Sequence, residues 1–299
     1  MIEFGIGKNG SLNVVQRDIS PSVYLDHWAL RKFSENSTLA GRLTEILHSR
    51  KGTFVLSWLN LVEFTKVMNE GQARKAESLI EANLPQVFFL ETEPFVVIHR
   101  EDSLVAGGSL VPPHADAELL RAFVELKPDS VRPFTPRDLF RSLNDSALAQ
   151  HFNRLADTVV ERVEVLRNEL DHDVDFSSAV RRLPAGRQIQ RGTRFILREL
   201  VRGLLIDKQL RITKNHAIDL LHAVVPVAYC DLVLLDKHWV TLVDRARSRI
   251  EKAGLSFPVA TVFSEKANGV DRFLQTLESP TPSPGMQRPA NRAAPDAGR

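Results

Sequence analysis

The sequence predicts an α/β fold in three layers, α/β/α, with a central parallel sheet and an inserted all-helical subdomain. Two short apolar stretches, SVYLD at 22–26 and TFVLS at 53–57, are typical of buried strands and are separated by helical sequence. Strand-like sequence returns at 231–236, after a block from 115 to about 210 with a helical pattern. Strands that alternate with helices indicate a parallel sheet covered on both faces, and the helical block is then an insertion.

The first half of the chain supplies the first strands of this sheet. A helical segment and a second helix around 39–49 follow the strand at 22–26. Ser57 is placed to cap the helix that leaves the strand at 53–57. A helix at roughly 71–83 then leads to two apolar runs, QVFFLE and PFVVIH.

The second half begins with a loop rich in Gly, Pro and Ser at 101–114. Within the helical block, Thr135-Pro136 is typical of a helix start, and Asp145 is placed to cap a long helix that reaches about Leu170. After the strand DLVLLD, the pattern predicts a helix, a strand in FPVATVF and a last helix in NGVDRFLQTLE. We therefore predict a discontinuous α/β domain at 20–98 and 210–278, a helical insertion at 100–209, and a proline-rich disordered tail at 279–299.

Composition narrows the class of protein only slightly. The 299 residues are 43% hydrophobic, enough for a full core, and the net charge is only +2. The one cysteine, Cys230, excludes an internal disulfide and favours a reducing cytoplasm. The N-terminus lacks a secretory layout, and no uninterrupted apolar stretch reaches about 18 residues, so we expect a cytoplasmic protein without a membrane span.

Four acidic residues lie against apolar sequence: Asp26 in SVYLDHWAL, Glu63 in FVLSWLNLVEF, Asp219 in NHAIDLLHAVV and Asp236 in DLVLLDKHW. A carboxylate beside a buried strand or on an apolar helix face is unfavourable unless something compensates it. Asp26 and Asp236 end strands, and Glu63 lies in the second turn of a helix that leaves a strand. Because sites in parallel sheets form at the carboxyl ends of strands, we expect these side chains to meet there.

A cluster of this kind would favour a hard cation. Two carboxylates about 5 Å apart repel by roughly 3 kcal/mol at an effective dielectric near 20, so the bare cluster would destabilise the fold or take up a proton. A divalent cation reverses this effect, and oxygen ligands favour Mg²⁺ or Mn²⁺. Asp231 is a further candidate, but it precedes Asp236 by roughly 16 Å on a straight strand and joins the site only if the strand is shorter.

Each acid also has an ordinary structural explanation. Asp26 could cap the following helix, and Glu63 could pair with Lys66 at i, i+3 spacing. Asp219 could pair with a buried arginine, and Asp236 could be a turn residue. Their joint placement at strand ends is what favours a common site.

These segments resemble the PIN-domain nuclease family, which includes the toxin ribonucleases of bacterial toxin–antitoxin pairs. The resemblance is carried by VYLD with Asp26, LSWLNLVEF with Glu63, AIDLLHA with Asp219 and LVLLDKHW with Asp236, and covers roughly 20–98 and 210–278. It implies a PIN-like α/β/α fold in which these acids hold one or two Mg²⁺ or Mn²⁺ ions and cleave RNA phosphodiesters. The helical block departs from the compact toxins, so a toxin-like role, a protein inhibitor and a homodimer stay open.

The resemblance also suggests roles within the site. Asp26, Asp219 and Asp236 would bind the metal directly, and Glu63 would bind metal or orient the attacking water. On the predicted helix near 214–225, Asn215 and His222 share the side of Asp219. We expect His222 to support the site or the core rather than to bind metal, because hard cations prefer oxygen.

A basic segment suggests what such a site would act on. Residues 181–214 contain ten basic and two acidic side chains, a net charge of +8. Arginines recur along one predicted helix face and could track the phosphates of RNA, with DNA not excluded; the opposing interpretation is a solvated or acid-paired helix. The predicted contact residues are Arg187, Arg191, Arg194, Arg198 and Arg202.

The residues also bear on three other classes of protein. A catalytically inactive PIN-like protein that binds RNA or has a regulatory role would keep the fold without the activity. An aspartyl phosphatase requires a second Asp two residues after the first, where this chain has Trp28, and a dinucleotide enzyme requires a glycine-rich turn after the first strand. Both enzyme alternatives are therefore disfavoured.

Overall fold

A computed structural model describes residues 1–6, 12–66, 70–105, 112–125, 146–184 and 192–279. Its elements follow one another along the chain as β1 (Ile2–Ile6), β2 (Leu12–Gln16), β3 (Ser22–Leu25), α1 (His27–Glu35), α2 (Ser37–Arg50), β4 (Thr53–Ser57), α3 (Trp58–Lys66), α4 (Glu70–Ala82), β5 (Val87–Leu90), α5 (Pro94–Val105), α6 (Ala117–Glu125), α7 (Ser146–His172), α8 (Val174–Arg181), α9 (Gly192–Ile206), α10 (Lys214–Tyr229), β6 (Leu232–Leu234), α11 (Lys237–Lys252), β7 (Thr261–Phe263) and α12 (Gly269–Glu278).

A parallel sheet of five strands in the order β5-β4-β3-β6-β7 forms the centre of the molecule. In the central strand, Tyr24 lies opposite Val55 of β4 and Val233 of β6. Strands β3 to β6 are buried along their whole length, as parallel strands covered on both faces must be. This confirms the predicted α/β class with a central parallel sheet.

Helices cover both faces of the sheet, and the alternation of strand side chains divides the core in two. One face of β3 and β4 (Val23, Leu25, Phe54 and Leu56) packs with apolar side chains of α1 to α4, α6 and α12. The other face packs with side chains of α5, α7, α9, α10 and α11. The architecture is therefore compatible with three layers.

The described helices of the predicted insertion pack directly on the sheet layer. Val163 and Leu170 of α7 and Ile196 and Leu200 of α9 belong to the same apolar cluster as Tyr24. The second face of the sheet, which any such fold must cover, is thus covered partly by the 100–209 segment.

Several details differ from the sequence expectations or lie outside the described residues. The apolar run PFVVIH begins helix α5, which extends to Val105 into the predicted loop. The chain also begins with an antiparallel pair, β1 and β2, that the sequence did not suggest. The predicted helix start at Thr135-Pro136, the cap Asp145 and residues 280–299 of the predicted tail lie outside the described residues.

Helix α12 closes the fold through a glycine that its position requires. Asn268, just before the helix, has a left-handed backbone with φ 54°. A Cβ on Gly269 would lie 1.8 Å from the carbonyl oxygen of Ser264. Only glycine fits this approach without displacing the backbone.

Candidate metal centre

The candidate site lies where the sheet reverses its winding direction. Strands β3 and β6 are neighbours, but the chain proceeds from β3 to β4 on one side and from β6 to β7 on the other. In open parallel sheets, the crevice at the carboxyl ends of two such strands is the usual ligand site. Asp26 follows β3 directly and Asp236 comes two residues after β6, and the Asp26 amide donates to the Leu234 carbonyl at 3.2 Å.

Asp26 is the most deeply buried of the four acids, with 7% of its surface exposed. Its carboxylate accepts a hydrogen bond from the Ala29 amide at 3.1 Å and so caps helix α1. Burial raises the pKa of Asp26 well above its usual range, and the charges of Asp236, Asp219 and Glu63 raise this pKa further. The predicted capping role and the predicted cluster therefore coexist at one residue.

Asp219 and Asp236 complete the side of the crevice formed by α10 and β6. Burial raises the pKa of Asp219 to about 6, with smaller upward contributions from Asp236 and Glu63, while His222 and a hydrogen bond from Trp239 act in the opposite direction. Asp236 is exposed and stands at the N-cap of α11 without making a capping hydrogen bond. Although Asp236 faces solvent, loss of part of its hydration raises its pKa, and the charge of Glu265 raises this pKa further.

Glu63 reaches the site from α3 and contacts two histidines. Its Oε2 lies 3.0 Å from Nε2 of His222 and 3.6 Å from Nδ1 of His27. The Glu63 side chain is 19% exposed. Lys66, the partner considered as an alternative, has a side chain outside the described residues.

A buried chain of polar groups extends from Glu63 to the interior of the sheet. Nδ1 of His222 lies 2.5 Å from the hydroxyl oxygen of Tyr24, which lies 3.0 Å from Oγ of Ser57. Tyr24 is fully buried, and burial raises the pKa of its hydroxyl well above the usual range. Ser57 in turn bonds to Asn60, at the start of α3.

This polar chain was missed by sequence reasoning. Tyr24 occupies a strand position that reads as core, and Asn60 reads as an ordinary residue of the first helical turn. The one available signal was Ser57, which was predicted as a cap and lies at the end of β4. Trp239, which lowers the pKa of Asp219, also carried no signal, because a tryptophan in an amphipathic helix reads as core.

The carboxylate oxygens of the four acids suit a hard divalent cation. As placed, however, these side chains do not surround a common point as the ligands of one ion would. Within the described residues, no group of three His, Cys, Asp or Glu side chains is arranged to hold an ion. Two of the carboxylates are held by other contacts, because Asp26 caps α1 and Glu63 contacts His222. An ion in the crevice would thus have to draw the carboxylates together.

Two further predicted residues are placed differently from the four acids. Asp231 precedes β6 and lies at the amino edge of the sheet, where its Oδ2 accepts hydrogen bonds from the Ser20 hydroxyl and the Ser22 amide, each at 2.7 Å. This position, at the opposite end of the strand from Asp236, argues against a share in the site. Asn215 is exposed in the first turn of α10.

The predicted basic stripe is only partly available as a surface. Arg187 and Arg191 lie outside the described residues. Arg194 is exposed and pairs with Asp102 at 2.8 Å. Arg198 is exposed and has no acidic partner within the described part of the chain.

Arg202 belongs to an ion-pair cluster around a buried glutamate. Its side chain is 17% exposed and lies 3.0 Å from the carboxylate of Glu199, which is 1% exposed and also pairs with Arg249 at 2.7 Å. Two guanidinium groups therefore compensate one buried carboxylate. This position argues against phosphate binding by Arg202.

Comparisons with family models, with curated proteins and with solved structures found no match. Among the described helices, none combines the length and the apolar character needed to cross a membrane.

Proposed function

We propose that this protein is a metal-dependent endonuclease with a PIN-like fold, and that its substrate is RNA. The observation that carries the proposal is the convergence of Asp26, Glu63, Asp219 and Asp236 on the switch point of the parallel sheet. The charges of the other acids raise the pKa of Asp26, so the four groups share one electrostatic environment. Such a cluster is a functional-site candidate with a physical rationale.

The four acids would hold Mg²⁺ or Mn²⁺ at the mouth of the crevice. When bound, the cation lowers the pKa of a water and offsets charge on the scissile phosphate. Asp26 and Asp236, fixed by adjacent strands, would set the spacing of the centre, and Asp219 would hold the cation from α10. Glu63, on the facing helix, would orient a water for in-line attack.

RNA is favoured as substrate by the sequence resemblance and by the positive charge of 181–214. Of the described arginines, Arg198 is the best placed to meet a phosphate, because it is exposed without an acidic partner in the described residues. Arg194 could exchange its exposed partner Asp102 for a phosphate at little cost, since exposed ion pairs contribute about 0–1 kcal/mol.

The test is cleavage of mixed RNA and DNA substrates by the full chain with Mg²⁺, Mn²⁺ or a chelator. We expect metal-dependent cleavage of RNA that Asp26→Asn and Asp219→Asn abolish. Asp244→Asn is the matched control, because Asp244 is an exposed aspartate paired with Arg247 on α11 and lies outside the acid cluster. Folded Asp26→Asn protein that cleaves at the wild-type rate would overturn the proposal.

A second candidate is a PIN-like protein that binds RNA without cleaving it. The specific observation in its favour is that the acids, as placed in the described residues, form no closed ligand set. In the same assay this candidate gives retention of intact RNA that is indifferent to the metal and to Asp26→Asn.

A further inference from the structure

In the buried polar chain below Glu63, the donor and the acceptor of each hydrogen bond can be assigned, starting from Asn60. The Asn60 amide nitrogen donates to the Leu25 carbonyl at 3.0 Å, so Oδ1 is the acceptor end of that side chain. This Oδ1 accepts from both the amide and the hydroxyl of Ser57, each at 3.0 Å. The single hydroxyl proton of Ser57 is therefore directed at Asn60.

The assignment at Ser57 fixes the donor and acceptor roles of Tyr24 and His222 in turn. Because the Ser57 proton is already used, the Tyr24 hydroxyl must donate in its 3.0 Å contact with Ser57 Oγ. The Tyr24 oxygen then acts as acceptor in its 2.5 Å contact with His222, so Nδ1 of His222 carries a proton and donates. In a neutral imidazole with a proton on Nδ1, Nε2 presents a lone pair.

That lone pair faces a carboxylate. Nε2 of His222 and Oε2 of Glu63 lie 3.0 Å apart, and His222 is only 2% exposed. Two acceptors at this distance repel unless a positive species binds both. Two neighbouring ligand atoms of an octahedral cation with bonds of about 2.1 Å are also about 3 Å apart.

We infer that Nε2 of His222 is a nitrogen ligand of the metal centre, adjacent to Glu63, and that the centre takes a first-row transition cation such as Mn²⁺ in preference to Mg²⁺. The inference deepens the proposed function and rests on it. It revises the expectation that His222 only supports the site.

The chemistry of the ligands supports this choice of cation. Mg²⁺ is bound almost entirely by oxygen, whereas first-row transition cations also accept imidazole nitrogen. Among these cations Mn²⁺ is the one suited by carboxylate oxygen, which fits a centre of four acids and one histidine. A metal-binding histidine usually donates its other N–H to a fixed partner, which sets the tautomer and the ring orientation. Tyr24, held by Ser57, is that partner here.

The direct test is pulsed electron paramagnetic resonance of the full chain loaded with Mn²⁺. A directly bound imidazole gives ¹⁴N modulation of the Mn²⁺ echo, which changes to a ¹⁵N pattern when only the histidines are labelled with ¹⁵N. We expect this modulation in wild-type protein and its loss in His222→Gln. In the matched control His216→Gln, it should persist, since His216 caps the same helix through Thr213.

Binding measurements supply a second readout. We expect Mn²⁺ to bind more tightly than Mg²⁺, and Tyr24→Phe to weaken Mn²⁺ binding by about 10- to 100-fold, as loss of an outer partner of a ligand does. Mg²⁺ binding should change less than threefold. This comparison does not depend on whether His222→Gln folds.

The outcomes separate this inference from the proposed function. Wild-type protein that binds Mn²⁺ without ¹⁴N modulation overturns the nitrogen ligand and leaves the carboxylate centre intact; a proton shared by His222 and Glu63 would give this result. Modulation that persists in folded His222→Gln and disappears in His27→Gln assigns the nitrogen to His27 and also overturns the inference. If wild-type protein binds Mg²⁺ but no Mn²⁺, only this inference fails; if it binds neither cation, both proposals fail.

Discussion

Substitution of Asp219 by asparagine should stabilise the metal-free protein at alkaline pH. Burial raises the pKa of Asp219 from its usual 3.8 to about 6. The folded state therefore holds this proton more tightly than the unfolded state does. The resulting contribution to stability is fully present below about pH 4 and is lost as pH rises through about 6.

The magnitude follows from the size of this shift. Each pKa unit corresponds to 1.36 kcal/mol, so the ionised carboxylate of Asp219 destabilises the fold by up to about 3 kcal/mol at pH 8. Partial exposure of Asp219 lowers the expected effect to about 2 kcal/mol. Asparagine is close to aspartate in size, keeps one side-chain oxygen and removes the charge.

Urea unfolding of both proteins at pH 8 and pH 4.5, with a chelator present, measures this difference. We expect Asp219→Asn to be more stable by about 2 kcal/mol at pH 8 and by much less at pH 4.5. Acids outside the cluster titrate alike in both proteins, so their effects cancel in the comparison. A difference of zero at pH 8, or one that is the same at both pH values, would refute the electrostatic reasoning.

Three further predictions concern the arginines and the last helix. Arg202→Ala should lower the free energy of unfolding by about 2 kcal/mol in urea titrations, because buried Glu199 loses one of its cations; an unchanged midpoint would contradict the buried pair. Arg198→Ala should leave the midpoint unchanged and reduce the slope of log affinity for RNA against log salt by about one, measured by fluorescence anisotropy; an unchanged slope would remove this arginine from the interface. Gly269→Ala should lower the melting temperature by several degrees, because its Cβ would meet the Ser264 carbonyl; a wild-type melting temperature would show that the approach is not rigid.

The sequence was informative where local pattern and topology coincide. The apolar strands that end in Asp26 and Asp236 predicted both the parallel sheet and the edge at which the two acids lie. Glu63 and Asp219 could be assigned to the same predicted site, because helical spacing places each carboxylate on an otherwise apolar helix face. Each of these inferences needs only the residues within one or two turns of the acid.

Features that depend on contacts between distant segments could not be read in this way. Tyr24 meets His222 across 198 positions of the chain, so neither residue carries a local sign of the contact. Arg202 is spaced like a surface arginine, yet it pairs with buried Glu199, which Arg249 of α11 also contacts. The helix that begins at PFVVIH has strand-like composition, and tertiary packing of α5 against α9 and α10 overrides this propensity.

Calorimetric titration of Mn²⁺ into the wild-type chain, Asp26→Asn and Asp244→Asn tests the central claim most directly, because it measures the acid cluster independently of any substrate. We predict saturable binding to the wild type and to Asp244→Asn, and at least tenfold weaker binding to Asp26→Asn at the same pH. Equal binding by all three proteins, or no binding by the wild type, would contradict the account of the four carboxylates as a cation centre.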